Sequence, residues 1–188
     1  MHILDILERD PVTLSIEFFP PKTDEAAQTL DETLDVLGRY NPSFIDLTYG
    51  AGGTTRDLTV EKVCQVHQAG HDVVPHLTTV CQKESDIRQI IEAYAEEGIS
   101  NILALRGDPP RSMPDWDRNN DDFGYAADLV RYLQEFNKTG KHPDPRGFGI
   151  GVAGFPEGHP AEPQRVRELE YLKQKVDAGA HYIWTQFF

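Results

Sequence analysis

The chain has 188 residues, 39% of them hydrophobic, and carries 18 lysines and arginines against 31 aspartates and glutamates, a formal net charge of −13. That length and apolar content suit one ordinary domain spanning residues 1–188 with its own core, while the acidic balance excludes the broad basic face that displaces counterions from nucleic acid. The first ten residues are acidic and contain no long apolar run, so they read as neither a secretion signal nor a membrane span, and the expected compartment is the cytoplasm.

In chain order, a first strand is predicted over Val12 to Phe19, closed by Pro20-Pro21. Thr23 then caps a helix whose Ala26, Leu30, Leu34 and Leu37 recur at intervals of three or four. Pro42 resets the chain for a second strand, Phe44 to Thr48, followed by the glycine-rich loop Tyr49 to Thr55 and a helix from Asp57 to Ala69 that ends at Gly70. The third strand is Val73 to Leu77. Its helix, Ser85 to Glu97, sets Ile87, Ile90, Ile91 and Tyr94 on one face and stops at Gly98. Ile102-Leu-Ala-Leu105 forms the fourth strand and ends abruptly at Arg106-Gly-Asp108 and two prolines. Pro109 to Asp122 shows no periodicity and reads as a long, acidic, solvated loop. A helix over Tyr125 to Phe136, a polar connector, a strand over Phe148 to Ala153, a helix over Pro163 to Ala178 and a sixth strand over Tyr182 to Phe187 complete the chain.

Thr48, His76 and Arg106 lie 28 and 30 residues apart, a period that holds one strand, one helix and two turns. Alternating strands and helices of this kind make either an open doubly wound sheet or an eight-fold barrel. Polar residues end strand after strand, whereas an open sheet concentrates its site at one switch point. The expected fold is therefore an α/β, (β/α) TIM-type barrel, cut short after its sixth strand.

The candidate residues divide between chemistry and scaffold. Gly149-Ile-Gly-Val-Ala-Gly154 fits the spacing of a dinucleotide loop, but its glycines lie inside an apolar run with no helix behind them; small residues there serve close approach instead. Arg106-Gly-Asp108 ends a core strand, which is no place for an adhesion ligand. Glu17 sits between Ile16 and Phe18-Phe19, where burial would raise its pKa toward the range of a general acid; a structural ion pair is the alternative. Asp108 shares that ambiguity beside Arg106. His76 suits a hydrogen bond to a ligand or a packing role. Thr48, Tyr49 and Ala51 head a loop able to cradle a phosphate or a ring, or simply to turn. His159 precedes a helix on which Glu168, Tyr171 and Lys175 share one face, by default a solvated one. Cys64 and Cys81 are isolated and read as small buried hydrophobes. The rim would gather Glu17, Thr48, His76, Arg106, Asp108 and Gln186. With no metal-ligand spacing and no nucleophile set beside a base, such a rim points to an organic cofactor.

Seven segments together, Glu17-Phe-Phe-Pro-Pro21, Thr48-Tyr-Gly-Ala-Gly52, Pro75-His-Leu-Thr78, Leu105-Arg-Gly-Asp108, Pro156-Glu-Gly-His-Pro160, Lys175-Val-Asp-Ala-Gly-Ala180 and Thr185-Gln-Phe-Phe188, resemble in order the signatures of the methylenetetrahydrofolate reductase family. The resemblance implies a flavin-dependent barrel enzyme of one-carbon metabolism. It would use NADH or NADPH to reduce FAD and then convert 5,10-methylenetetrahydrofolate to 5-methyltetrahydrofolate for methionine synthesis, in a ping-pong cycle. By the same resemblance Glu17 is the general acid, Asp108 binds the pterin and tunes the flavin, and Gln186 contacts both substrates. FAD contacts would come from Thr48, Tyr49, Ala51, His76, Arg106, Gly107, Asp108, Tyr125, Ala126, Phe155, His159, Glu162, Glu168, Tyr171, Gln174 and Lys175. Phe155 stands where the family can have tyrosine, Glu168 where it can have aspartate, and Gln174 where it can have a basic residue. The family continues for two further strands beyond Gln186, so the expectation is a shortened form, or a chain completed by self-association into a homo-oligomer. Two rivals follow: an incompetent fragment that binds FAD or a partner chain, and a flavin-free barrel lyase using Glu17 and Lys175.

Overall fold

The computed structural model describes residues 1–21, 23–49, 56–108, 115–159, 162 and 164–188. Six strands, β1 (Ser15–Phe18), β2 (Phe44–Leu47), β3 (Val73–Thr78), β4 (Asn101–Leu105), β5 (Gly149–Gly154) and β6 (Tyr182–Thr185), form one sheet in sequence order. Each pairs in parallel with the next. Between them run α2 (Asp24–Leu37), α3 (Arg56–Gln68), α4 (Glu84–Glu96), α5 (Ala126–Asn137) and α6 (Arg165–Asp177), and a short α1 (Ile3–Arg9) precedes β1. This unbroken order of parallel strands with a helix in every crossover, curled into part of a barrel, is the TIM-type fold expected from the sequence.

The local signals act as their chemistry dictates. The Thr23 hydroxyl accepts the Ala26 amide at 3.1 Å and starts α2. Gly70 (φ +97°) and Gly98 (φ +76°) turn the chain out of α3 and α4 in the left-handed region that side chains disfavour. The acidic loop before α5 is less solvated than its composition suggests. Asp122 accepts the Glu84 amide at 2.8 Å and Asp121 the Cys81 amide at 3.2 Å, so the two carboxylates satisfy free backbone donors at and just before the start of α4.

Residues alternate between two apolar layers. Ile45, Leu47, Val73, Leu77, Ile102, Ile150 and Val152 face outward against Leu34, Val63, Ile91, Tyr94 and Leu133 of the helices. Phe44, Val74 and Leu103 face inward against Ile3 and Ile6 of α1, with Tyr182 and Trp184 beside them. Phe44 of β2 meets Trp184 of β6 edge-on, ring centroids 5.5 Å apart. Strands four places apart in the sheet can touch only if the sheet curls.

Sequence reading missed α1, whose seven residues are too few to show a period. It closes the end of the barrel where the strands begin: Ile3 donates its amide to Asn101 Oδ1 at 2.6 Å, and Asn101 Nδ2 donates to the Met1 carbonyl at 2.9 Å. The glycines of β5 explain themselves here. A Cβ on Gly149 would lie 2.6 Å from Ile3 Cγ2, and one on Gly151 would lie 2.2 Å from the Tyr182 ring. Side chains of α1 and β6, rather than a flat ligand or a second backbone, occupy the space.

The two outer strands differ from the inner four. β1 and β6 are shorter than expected and half exposed; Val12 is 87% exposed and Phe187 99% exposed. Each is hydrogen-bonded along one side only. Cys64 and Cys81 are not joined by a disulfide and are half buried rather than buried. Among the described residues no helix is long and apolar enough to cross a membrane.

Candidate active site at the C-terminal ends of the strands

Every strand ends at the same rim, and the expected residues are distributed around it. Glu17 is the third residue of β1, Thr48 and Tyr49 follow β2, and His76 lies on β3. Arg106, Gly107 and Asp108 follow β4, Phe155 and His159 follow β5, and Gln186 follows β6. Tyr125 and Ala126 open α5, whose start also points to this rim. Ala51 lies outside the described residues. No cluster of potential metal ligands occurs among the described residues.

Glu17 corrects the sequence reading. Burial was expected from its apolar neighbours, yet its side chain is exposed. The neighbours Ile16 and Phe18 point to the opposite face of β1, and no strand covers the outer side of β1 among the described residues. Asp108 and Gln186 are exposed as well, so the three residues expected to meet substrate all face solvent from the rim.

His76 is the contrary case. It is 9% exposed, and burial pushes its pKa down to about 4, which leaves a neutral imidazole able to donate at one nitrogen and accept at the other. Thr48 donates its hydroxyl to the Phe18 carbonyl at 3.3 Å, tying the end of β2 to β1. At the end of β4, Thr79 and Val80 donate amides to the Arg106 carbonyl at 3.1 and 3.0 Å. Gly107 (φ +85°) follows in a conformation where a Cβ would lie 2.6 Å from Val80 Cγ1. That glycine is required on both counts.

The face of α6 carrying Glu168, Tyr171 and Lys175 is not simply solvated. Glu168 is 5% exposed. Lys175 reaches back along its helix and donates to the Ala153 carbonyl at 2.6 Å. Burial lowers the pKa of its amine, opposed by the charge of Glu168. Tyr171 stacks on Tyr125 with ring centroids 5.4 Å apart and planes at 27°, joining the start of α5 to the middle of α6 by an aromatic shelf. Phe155 and His159 meet edge-on at 4.5 Å after β5, and Glu162 accepts the Gln164 amide at 3.1 Å. Gln174 is exposed. A cavity of about 480 Å³ beside Tyr125 is lined by Asp117, Asn119, Asp121 and Gly124, an acidic wall unsuited to a phosphate.

Two inward-facing groups escaped the sequence reading. Asp46, in the middle of β2, is 0% exposed and neither of its oxygens has a hydrogen-bond partner. Tyr182 of β6 also buries an unpartnered hydroxyl. The signal was present in Phe44-Ile-Asp-Leu47, where an aspartate interrupts an apolar strand that must be covered on both faces.

Fold and rim together define a TIM-type α/β barrel protein with its polar side chains gathered where such barrels hold their active sites. The family model described as Methylenetetrahydrofolate reductase matches residues 2–188, and the chain belongs to that family. It is 39% identical over 196 residues to Methylenetetrahydrofolate reductase (NADH) 1 of Arabidopsis thaliana, covering 99% of this chain and 32% of that protein. Against Methylenetetrahydrofolate reductase 2 of Saccharomyces cerevisiae the identity is 41%, over 94% of this chain and 29% of the relative. Against 5,10-methylenetetrahydrofolate reductase of Pectobacterium carotovorum it is 38%, over 94% and 55%. The chain thus spans about a third of the plant and yeast relatives and about half of the bacterial one.

Proposed function

We propose that residues 1–188 are a partial TIM-barrel catalytic domain that reduces 5,10-methylenetetrahydrofolate to 5-methyltetrahydrofolate with NADH or NADPH through bound FAD, in a ping-pong cycle of cytoplasmic one-carbon metabolism that feeds methionine synthesis. The observation that carries this reading is the exposure of Glu17, Asp108 and Gln186 together at one rim in a chain of this family. Relatives from Arabidopsis thaliana and Zea mays carry NADH in their names, which makes NADH the first donor to try.

The residues present fit FAD by the chemistry of their donors. Lys175 is a half-buried cation whose amine already donates to a single carbonyl, leaving two of its three protons for flavin oxygens. Arg106 is half buried at the next strand end. His76 is neutral, Thr48 offers a hydroxyl, and the shelf of Tyr125 and Tyr171 offers an aromatic face. By the family resemblance Tyr49, Gly107, Ala126, Phe155, His159, Glu162, Glu168 and Gln174 would add further contacts. FAD, when bound, supplies hydride transfer from nicotinamide to folate.

Glu17 would donate the proton that opens the five-membered ring of the folate to an iminium ion, a contribution worth about 10²–10⁴ in rate. Asp108, as an anion beside the pterin, favours that cation, and Gln186 hydrogen-bonds pterin and nicotinamide in turn. Glu17 is exposed in this chain, so closure over it belongs to the folate or to further protein.

The test is optical. The purified chain, mixed with FAD and then with NADH under anaerobic conditions, should show a flavin spectrum that bleaches; added methylenetetrahydrofolate should restore it. A Glu17→Gln variant should bleach normally and fail to recover. A folded chain that binds no FAD would defeat the reading and leave the incompetent-fragment alternative, which the exposed Phe19 (79%) and Phe187 (99%) favour as surfaces for other protein.

A further inference from the structure

Asp46 and Glu17 are partners in the sheet. The β1–β2 register sets Glu17 directly opposite Asp46. Side chains at paired positions of parallel strands point to the same face from strands about 5 Å apart. The two carboxyl groups therefore stand side by side on the inner wall, one at the solvent edge and one wholly enclosed. What surrounds Asp46 offers it no cation. The Ser15 hydroxyl acts on it from β1, Val74 pairs with it from β3, and His76 two residues along β3 is neutral. From β6 comes the Tyr182 hydroxyl, whose pKa is driven far up by burial and then by the charge of Asp46, so it can donate a hydrogen bond but keeps its proton. Glu17 is the carboxyl group that the register sets beside Asp46.

We propose that Asp46 is a positioning residue that holds a proton for Glu17, the two carboxyl groups sharing one proton between the barrel interior and the rim. An enclosed carboxylate without a partner is costly, and a second negative charge beside it is more so. Protonation of the inner member removes both costs. Burial first, and the Glu17 charge in the same direction, push Asp46 up to about 8, with Ser15 opposing. The proton thus resides on Asp46 while Glu17 faces water. When a ring covers the rim, Glu17 loses its hydration too, so the preference of the shared proton for Asp46 narrows; in the form that carries it on Glu17, that residue is an acid where a lone exposed glutamate would be ionised. No net proton is taken from solvent in that step. The role as acid rests on the folate-reductase reading above; the shared proton does not.

Two measurements separate these. In protein labelled with ¹³C at aspartate side-chain carboxyls, one signal, missing from Asp46→Asn, should titrate near pH 8. It should move to lower pH in Glu17→Gln, because the neighbouring charge is gone. A signal that titrates in the ordinary carboxylate range, or one that is unchanged in Glu17→Gln, overturns the pairing. In the flavin-loaded protein, Asp46→Asn should leave bleaching by NADH unchanged but shift the alkaline limb of folate reduction down by about one pH unit or more, a tenfold loss at pH 8. An unshifted limb overturns the delivery of the proton. Should Asp46→Asn not fold, Glu17→Gln still decides the coupling through the carboxyl signal. Coupled titration without any folate turnover would sink the enzymatic reading and leave the proton pair standing.

Discussion

The two ends of the barrel spend their polar groups differently. Where the strands begin, polar side chains pair with one another and with the backbone. Asn101 bridges α1 in both directions, and Arg146 holds Asp5 through two hydrogen bonds of 2.7 and 2.6 Å while its Nε and Nη2 hold Asp144. Those hydrogen bonds keep the carboxyl of Asp144 far below the usual carboxylate range. Where the strands end, Glu17, Asp108 and Gln186 point to solvent, and Lys175 has one protein acceptor for three protons. An end whose hydrogen-bonding capacity is used internally is built for stability. An end that leaves it open is built to meet a ligand.

Substitutions at the two ends should therefore separate cleanly. The largest effect is expected at the rim, where Glu17→Gln should lower folate reduction by about 10²–10⁴-fold. Because that side chain is exposed, the unfolding free energy measured in urea should stay within about 0.5 kcal/mol of wild type. At the closed end Ile3→Ala should do the reverse. Its side chain is 1% exposed, so loss of stability of about 2–5 kcal/mol is expected in urea unfolding, with cofactor reduction per folded molecule unchanged.

Between the ends, Gly151→Ala should cost about 1–3 kcal/mol, since its Cβ would collide with the Tyr182 ring 2.2 Å away. It should also disturb the Asp46 titration, linking the barrel wall to the rim. The smallest effect is on pH dependence. His2 at the closed end is pushed down to about 4, chiefly by burial and next by the Arg146 charge. The unfolded chain then binds more protons than the folded one between about pH 6.5 and 4, so stability present above this window is lost as pH falls through it. His2→Asn, which can keep the acceptor for the Leu4 amide, should flatten the acid limb of the melting curve. The rim-side His76, also near 4, should keep part of that limb in place.

Much of this was written in local pattern. The strand–helix alternation, the period separating Thr48, His76 and Arg106, the Thr23 cap and the glycine stops at Gly70 and Gly98 all depend on neighbours a few residues away, and all emerged as expected. The glycine motif of β5 lies within the strand, as expected, rather than in a strand-to-helix turn. Its true purpose was hidden, because Ile3 and Tyr182 reach those glycines from distant parts of the chain. Likewise the acidic loop looked solvated until Asp121 and Asp122 were seen against the start of α4.

Glu17 and Asp46 exchanged the environments that the sequence suggested. Apolar neighbours in sequence made Glu17 look buried, but alternate residues of a strand face opposite ways, and β1 is an edge strand. Asp46, also set among apolar neighbours, lies in an inner strand under the cover of β6 and is enclosed. Residue type and spacing alone decided the six strands, the helices between them, their parallel order and the rim at which the polar residues gather. Burial is a property of which strands stand beside and across from one another, so only the curled sheet could decide which of the two carboxyl groups meets water.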